Sequence, residues 1–477
     1  MKTSLSQLSH SVFAVIMLAV ANLSTVTAQS YEVDITISDY KSDTLVVGYY
    51  FGERQLVSDT LYSKNQKNFK WTGDEALHSG VYLLLTTPDK NFIQFFVDEP
   101  YPQFSLKTDA ELRNVAFKKS EDNNNFNEYV RYITLMKERS EPLRGKLETA
   151  SETERVAIMG QLDQMDLEVQ AKQLEYISKY PNSFTAKNIK ASLPIDTPDV
   201  PEGLTDKERD IFRFENYRDH YFDHVDLSDT TLLYTPFLDT RVNYYIDKLT
   251  VQLPDSINTS IDYLLGQMNP KSQMFRYYLS NIYNKYVQSK MVGMDAVVVH
   301  ISDNYYAKGL APWTDEDVLE KILDNANKVR PSLIGATAKD IQLELKDGTP
   351  IKLSDIDADY TVLVFWAPDC GHCTKSMPAI IDFEKEYRDK NVKVMGICTK
   401  YQEKIPKCWA GVEEKGMTNF INAVDPVGKS RFKAHFDIRT TPKIFILDKD
   451  LKIVLKGIGS DQLSGVMADI IARGGQM

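Results

Sequence analysis

Phe365-Trp366-Ala367-Pro368-Asp369-Cys370-Gly371-His372-Cys373 is the stretch that decides how this chain is read. The run Thr361 to Phe365 leading into it is continuously apolar, as expected of a strand buried on both faces of a sheet. A helical pattern predicts a helix from Gly371 to about Arg388. Two cysteines therefore fall where a buried strand hands over to a helix. A thiolate at a helix N-terminus meets free backbone N–H groups and the positive end of the helix dipole, which lower its pKa. Cys370, the outer sulfur, is expected to attack disulfides, and Cys373, one turn in, to resolve the mixed disulfide. Gly371 and His372 between them tune the exchange.

Outward from the motif, residues 341 to 473 alternate strand and helix. Ile341, Leu343 and Leu345 alternate ahead of Asp347-Gly348, a hairpin turn signal. Val392 to Ile397 reads as a strand and Trp409 to Ile421 as helix. Lys443 to Leu447 and Leu451 to Leu455 form a hairpin around Asp448-Lys449-Asp450, and Asp461 to Ile471 closes as a helix. The pattern is a β-α-β unit followed by β-β-α, with an extra hairpin in front. The only cysteines of the chain are Cys370, Cys373, Cys398 and Cys408. A disulfide-stapled scaffold would spread them over every domain, so clustering points to local redox chemistry. Zinc would need a second ligand pair, and the nine residues between Cys398 and Cys408 do not suit finger or ribbon spacing. Two buried hydrophobes, a structural disulfide and a second redox relay all stay open for that pair.

With these residues in place, the segment resembles the thioredoxin superfamily and, within it, the TlpA-type envelope oxidoreductases. The quoted stretch, Trp366 included, is similar to the family's active-site strand and turn. Pro378 matches the proline of the active-site helix. Thr441-Pro442 matches the cis-proline beside the catalytic pair, whose preceding residue, here Thr441, offers its backbone to an extended substrate. The resemblance implies catalytic Cys370 and Cys373, tuning by Gly371, His372 and Trp366, substrate binding at Thr441 and Pro442, and neither cofactor nor metal. Two positions depart from it. Asp369 replaces an aromatic residue before the first cysteine. The buried acid that assists the second cysteine is missing, its two usual positions holding Val364 and Ser376.

The rest of the chain reads as two further parts. Tyr31-Glu32-Val33-Asp34-Ile35-Thr36-Ile37 alternates with the period of a half-buried strand, and strand-like runs follow at Thr44 to Phe51, Val81 to Thr87 and Phe92 to Val97. From about residue 120 the period turns helical: Phe126, Val130 and Ile133 share one face, and Leu162, Met165, Val169 and Leu174 another. The last helix of this block reads from Thr314, and Pro331 opens the final domain. The expected architecture is multidomain, with a signal peptide over 1–28, an N-terminal β-sandwich over 29–118, a mainly α middle domain over 119–330 and a C-terminal α/β thioredoxin fold over 331–477. Tyr31 to Pro100, and Phe212-Arg213-Phe214 through Tyr305-Tyr306, resemble the small β-domain and helical domain that precede thioredoxin domains in Bacteroidota envelope proteins.

Residues 1–28 carry Lys2 as their sole charge, an apolar run of ten residues from Val12 to Ala21, and small residues at Val26-Thr27-Ala28. This is the pattern of a secretory signal cleaved before Gln29, and ten apolar residues fall short of the ~20 that span a bilayer. Periplasmic or cell-envelope residence is the expectation. The 477 residues are 43% hydrophobic and 26% charged with a net charge of −11, a balance that suits neither disorder nor nucleic acid or anionic lipid as partner. Protein thiols and disulfides, with an unidentified redox partner, are the expected partners. The competing reading is an envelope binding or scaffold protein whose thioredoxin-like domain is redox-inactive. His220 and His224, four apart among Asp219, Asp223 and Asp226, have a metal-compatible spacing but read more simply as structural histidines. Tyr277, Tyr278 and Tyr283 read as core ahead of a ligand groove.

Overall fold

The computed structural model describes residues 29–474 apart from residues 90 and 197. The expected signal peptide lies outside the described residues. The chain divides into two compact units. One takes residues up to 203 together with 219–241, and the other takes 204–218 together with residues from 242 onward.

The first unit opens with β1 (Tyr31–Ser38), β2 (Thr44–Phe51), β3 (Arg54–Tyr62), β4 (Asn68–Gly73), β5 (Gly80–Thr86), β6 (Phe92–Val97), β7 (Gln103–Asp109) and β8 (Ala116–Lys118). They form two four-stranded sheets, ordered β4-β1-β7-β8 and β3-β2-β5-β6. Alternation in β1 buries Val33, Ile35 and Ile37 against Leu45, Trp71, Leu84 and Phe95, the shared core of a β-sandwich. The sequence named three of the strands after β1. It passed over β3, whose residues are largely exposed and lack the period-2 signal. Three helices complete this unit: α1 (Glu121–Leu147), α2 (Glu152–Lys179) and α3 (Phe184–Ser192). The outer face of β5 and β6 packs Val81, Leu83 and Phe96 against Phe126 and Phe184, so both faces of β5 are buried and its sequence is nearly all apolar. α4 (Asp206–Asp219) and α5 (Leu238–Tyr244) follow in the chain.

In the second unit, α6 (Pro254–Gly266), α7 (Gln273–Val287), α8 (Asp295–Ile301) and α9 (Glu316–Val329) form the helical part. Tyr277, Tyr278 and Tyr283 are buried there, as core residues. α9 takes Asp315, one residue beyond the expected Thr314, as its cap. The C-terminal part runs β9 (Gln342–Glu344), β10 (Pro350–Lys352), β11 (Tyr360–Trp366), α10 (Gly371–Tyr387), β12 (Val392–Cys398), α11 (Ile405–Glu414), β13 (Ile421–Val424), α12 (Phe432–His435), β14 (Lys443–Asp448), β15 (Ile453–Lys456) and α13 (Leu463–Ala472). Its seven strands are ordered β10-β9-β13-β12-β11-β14-β15. β11 is an interior strand, parallel to β12 and antiparallel to β14. Val362, Val364 and Trp366 face one core, with Cys373, Met377 and Ile380 of α10. Leu363 and Phe365 face the other, with Phe432 and Phe436. That two-sided burial explains the unbroken apolar run.

The helix expected from Trp409 to Ile421 is corrected. α11 starts earlier, with Pro406 in its first turn, and stops where Gly416 adopts φ +72°. The Met417 N–H then bonds the Val412 carbonyl at 2.9 Å, closing the helix end and leaving Ile421 to begin β13.

β6 is an edge strand, and its outward backbone groups would otherwise lack partners. Buried Asn123 of α1 supplies them: its side chain accepts from the Phe96 N–H at 2.7 Å and donates to the Phe96 carbonyl at 2.8 Å. Asn123→Leu leaves a buried donor and acceptor unpaired, which costs roughly 2–3 kcal/mol. The expected readout is a loss of amide protection at Phe96 and its neighbours in hydrogen exchange, with amide protection in β11 unaffected.

Candidate active site

Three elements meet at the cysteine pair. β11 ends at Trp366, the turn Ala367-Pro368-Asp369 reverses direction, and α10 begins with Cys370 as its cap residue. The Cys370 sulfur accepts a hydrogen bond from the Cys373 N–H at 3.1 Å, and as a thiol donates to the Thr441 carbonyl at 3.2 Å. Thr441-Pro442 is a cis peptide at the entrance to β14. The sequence-predicted residues Cys370, Cys373, Thr441 and Pro442 are thereby brought to one place. Both motif cysteines are free thiols.

Their environments differ in kind. Cys370 is partly exposed, and Cys373 is fully buried. Burial works against the Cys370 thiolate, but hydrogen bonds from the Cys373 thiol, the Thr441 side chain and the backbone N–H groups of Cys373 and His372 outweigh it, so its pKa falls below the ordinary cysteine value. Burial, followed by the hydrogen bond to the Cys370 sulfur, pushes Cys373 up to about 11. Of the two sulfurs, the exposed one ionises more readily, and the thiolate is the form that attacks a disulfide. Val364, at one position where a buried acid was absent from the sequence, lies fully within the core.

Gly371 and His372 are exposed on the first turn of α10. Trp366 is not a surface group: its ring lies in the core, where a Cβ on Gly411 would come within 3.1 Å of it. Glycine at that position lets α11 press against the active-site strand. Cys398 and Cys408, left open in the sequence, are joined by a disulfide with a Cα separation of 6.1 Å and are buried. It ties the end of β12 to α11. His220 and His224 are not on one helix face, because α4 ends at Asp219 and both follow in turns. His220 Nδ1 bonds to Asp223 at 2.7 Å, the structural role weighed against metal binding.

The sequence reading missed Lys400. Its ammonium pairs with Asp369 at 2.7 Å, so the hydrogen bond from Lys400 holds the Asp369 carboxyl below the usual carboxylate range. An uncompensated anion one residue before Cys370 would oppose the thiolate. The only hint in the sequence was that Asp369 stands where the family has an aromatic. Lys400→Gln is expected to shift the pH profile of Cys370 alkylation by iodoacetamide toward higher pH. The rate at pH 7 should fall by about twofold, since less thiolate is present there and both charges are solvent-screened. A profile identical to the parent's would show that the pair does not act on the sulfur.

Residues 333–470 match the Redoxin family model, and residues 165–338 match that of a domain of unknown function, DUF5106. The C-terminal segment is 27% identical over 146 residues to the thiol-disulfide oxidoreductase ResA of Bacillus cereus, covering 29% of this chain and 78% of that protein. It is 29% identical over 133 residues to the thioredoxin-like protein YneN of Bacillus subtilis, covering 28% of this chain and 72% of that one. A solved thioredoxin-like protein from Bacteroides caccae aligns over 58% of this chain and 99% of its own, at 18% identity and a TM-score of 0.44. With the motif at the strand-to-helix junction and the cis-proline beside it, residues 333–470 are a thioredoxin-superfamily domain of the TlpA type.

Proposed function

We propose that this protein is an exported thiol-disulfide oxidoreductase that exchanges disulfides with proteins of the cell envelope through Cys370 and Cys373. The observation that carries the reading is the setting of the Cys370 sulfur, between the Cys373 N–H and the carbonyl of Thr441. The Cys370 thiolate attacks one sulfur of a substrate disulfide, and the other sulfur leaves as a thiolate that takes a proton from water. Cys373 then loses its proton and attacks the Cys370 sulfur, which releases the second substrate thiol and leaves a Cys370–Cys373 disulfide. Two electrons pass from protein to substrate, and a redox partner returns them. The half-buried Thr441-Pro442 segment beside the sulfur supports binding of an extended substrate there. The pattern in residues 1–28 supports export, and no helix among the described residues is long and apolar enough to cross a membrane.

Reduction of insulin by the purified chain tests the activity. Cys373→Ala is expected to retain attack and accumulate mixed disulfides through Cys370, whereas Cys370→Ala accumulates few. Equal trapping by the two variants, read on non-reducing gels, would overturn the division of roles.

His372, on the first turn of α10, is proposed to raise the reduction potential by favouring the Cys370 thiolate and hence the reduced form. Thioredoxin at about −270 mV and protein disulfide isomerase at about −180 mV frame the expectation, a value between about −230 and −170 mV. His372→Pro should lower it by tens of millivolts, where ~30 mV corresponds to about 1.4 kcal/mol for two electrons. A glutathione titration of parent and variant at pH 7 measures both, and a variant no more reducing than the parent would show that the histidine does not set the potential.

A further inference from the structure

A cavity of about 370 Å³ lies inside the second unit, and part of its lining comes from residues that flank Thr441-Pro442 in the chain. One wall is the 289–293 loop between α7 and α8, which belongs to the helical part. The other wall carries Arg439 and Lys443, the residues two before Thr441 and one after Pro442. The lining therefore takes one residue from each side of the cis-proline whose preceding carbonyl meets the Cys370 sulfur. An extended chain advances about 3.3 Å per residue, so residues a few positions from a reacting cysteine are the ones a cavity at this place in the chain would receive.

The lining is cationic and partly locked. Lys456 is buried and pairs with Asp295 at the start of α8, and it reaches Ser332 Oγ at 3.4 Å. Arg439 donates to Asp437 at 2.8 Å and to Asn325 of α9 at 2.9 Å. These contacts tie the helical part to the thioredoxin domain and use up both acids of the cavity. Lys290 and Lys443 remain, and among the described residues neither has a carboxylate within ion-pair distance. Two uncompensated ammonium groups beside a peptide-pairing edge, in a chain of net charge −11, form a local field opposite in sign to that of the whole molecule.

We propose that this cavity is a specificity pocket that receives an acidic side chain of the protein substrate, within a few residues of the cysteine attacked by Cys370, through Lys290 and Lys443. The proposal rests on the thiol-exchange function above. It gives the helical part of the second unit a role in substrate choice, because that part supplies the Lys290 wall that a bare thioredoxin domain lacks.

The decisive experiment uses the reduced, purified chain and three symmetrical peptide disulfides, the oxidised dimers of Ac-Glu-Gly-Cys-Gly-Glu-NH2, Ac-Gln-Gly-Cys-Gly-Gln-NH2 and Ac-Lys-Gly-Cys-Gly-Lys-NH2. Each oxidises the Cys370–Cys373 dithiol while being cleaved to two peptide thiols, and the rate is followed by mass after acid quench. The glutamate peptide is expected to react about tenfold faster than the lysine peptide at low salt, against the direction set by the net charge of the chain. In the double variant Lys290→Gln/Lys443→Gln that ratio should fall to about one or below. The ratio is internal to each protein, so a change in sulfur reactivity common to all three peptides cancels. Should the double variant fail to fold, raising the salt to about 0.5 M must collapse the parent's ratio, because exposed charges are then screened within a few ångströms. Equal rates for the acidic and basic peptides in the parent, or a ratio that survives the substitutions, overturns the pocket while leaving thiol exchange intact. A parent that reacts with none of the three, the glutamine peptide included, removes the oxidoreductase reading and the pocket with it.

Discussion

The sulfur of Cys370 must satisfy two geometric demands at once, and the C-terminal domain is arranged around them. It has to sit at the open N-terminus of α10, 3.1 Å from the Cys373 N–H, and also face the Thr441 carbonyl at 3.2 Å. The first demand depends on where β11 stops, and the second on where β14 starts. Pairing of Phe365 with Lys443 couples the two ends. Side chains along β11 alternate between two filled cores, so a one-residue slip of β11 against β14 would exchange the residues facing each core and carry the Thr441 carbonyl away from the sulfur. Close packing on both faces of β11 is thus what holds the Cys370 sulfur in place.

The same strand is braced from the side. Trp366 lies against Gly411 of α11, and the Cys398–Cys408 disulfide joins α11 to the end of β12, the strand paired with β11. Closing a loop of this length contributes on the order of 3 kcal/mol by restricting the unfolded chain. Because the disulfide is buried, it is shielded from the exchange proposed for Cys370. Four cysteines in one short domain therefore divide by exposure: one sulfur at the surface, one just beneath it, and two sealed in the core. A sequence contains the spacing of these residues but not their burial, which is why the state of Cys398 and Cys408 stayed open until their neighbours were known.

What could be read in advance follows the same logic. The strand-to-helix junction at Cys370 was legible because a doubly buried strand leaves a continuous apolar run, and a helix leaves its own period. β1 was legible because one of its faces is buried and the other is not. β3 was missed because exposure removes the apolar alternation. β13 was missed because it is only four residues long and follows a helix whose end is written in the backbone of Gly416 rather than in a hydrophobic pattern. Lys400 was invisible beside the cysteine pair for a different reason. It acts through Asp369, a partner brought close by the pairing of β11 with β12, and no local pattern marks such a lysine.

The absence of an acid at Val364 bears on how the second sulfur can act. In the reduced protein Cys373 is held protonated, first by burial and then by the hydrogen bond to Cys370, with the neighbouring charge adding to both. In the proposed exchange Cys370 enters a mixed disulfide, its negative charge is gone, and so are the contributions that depended on it. Burial alone then opposes ionisation of Cys373, while the hydrogen bonds from Ala367 and Thr441 continue to favour it. On that proposal, attack by the first sulfur makes the second more acidic without an acid at Val364. The two thiols titrate as one unit, and the order of events is set by which of them water can reach.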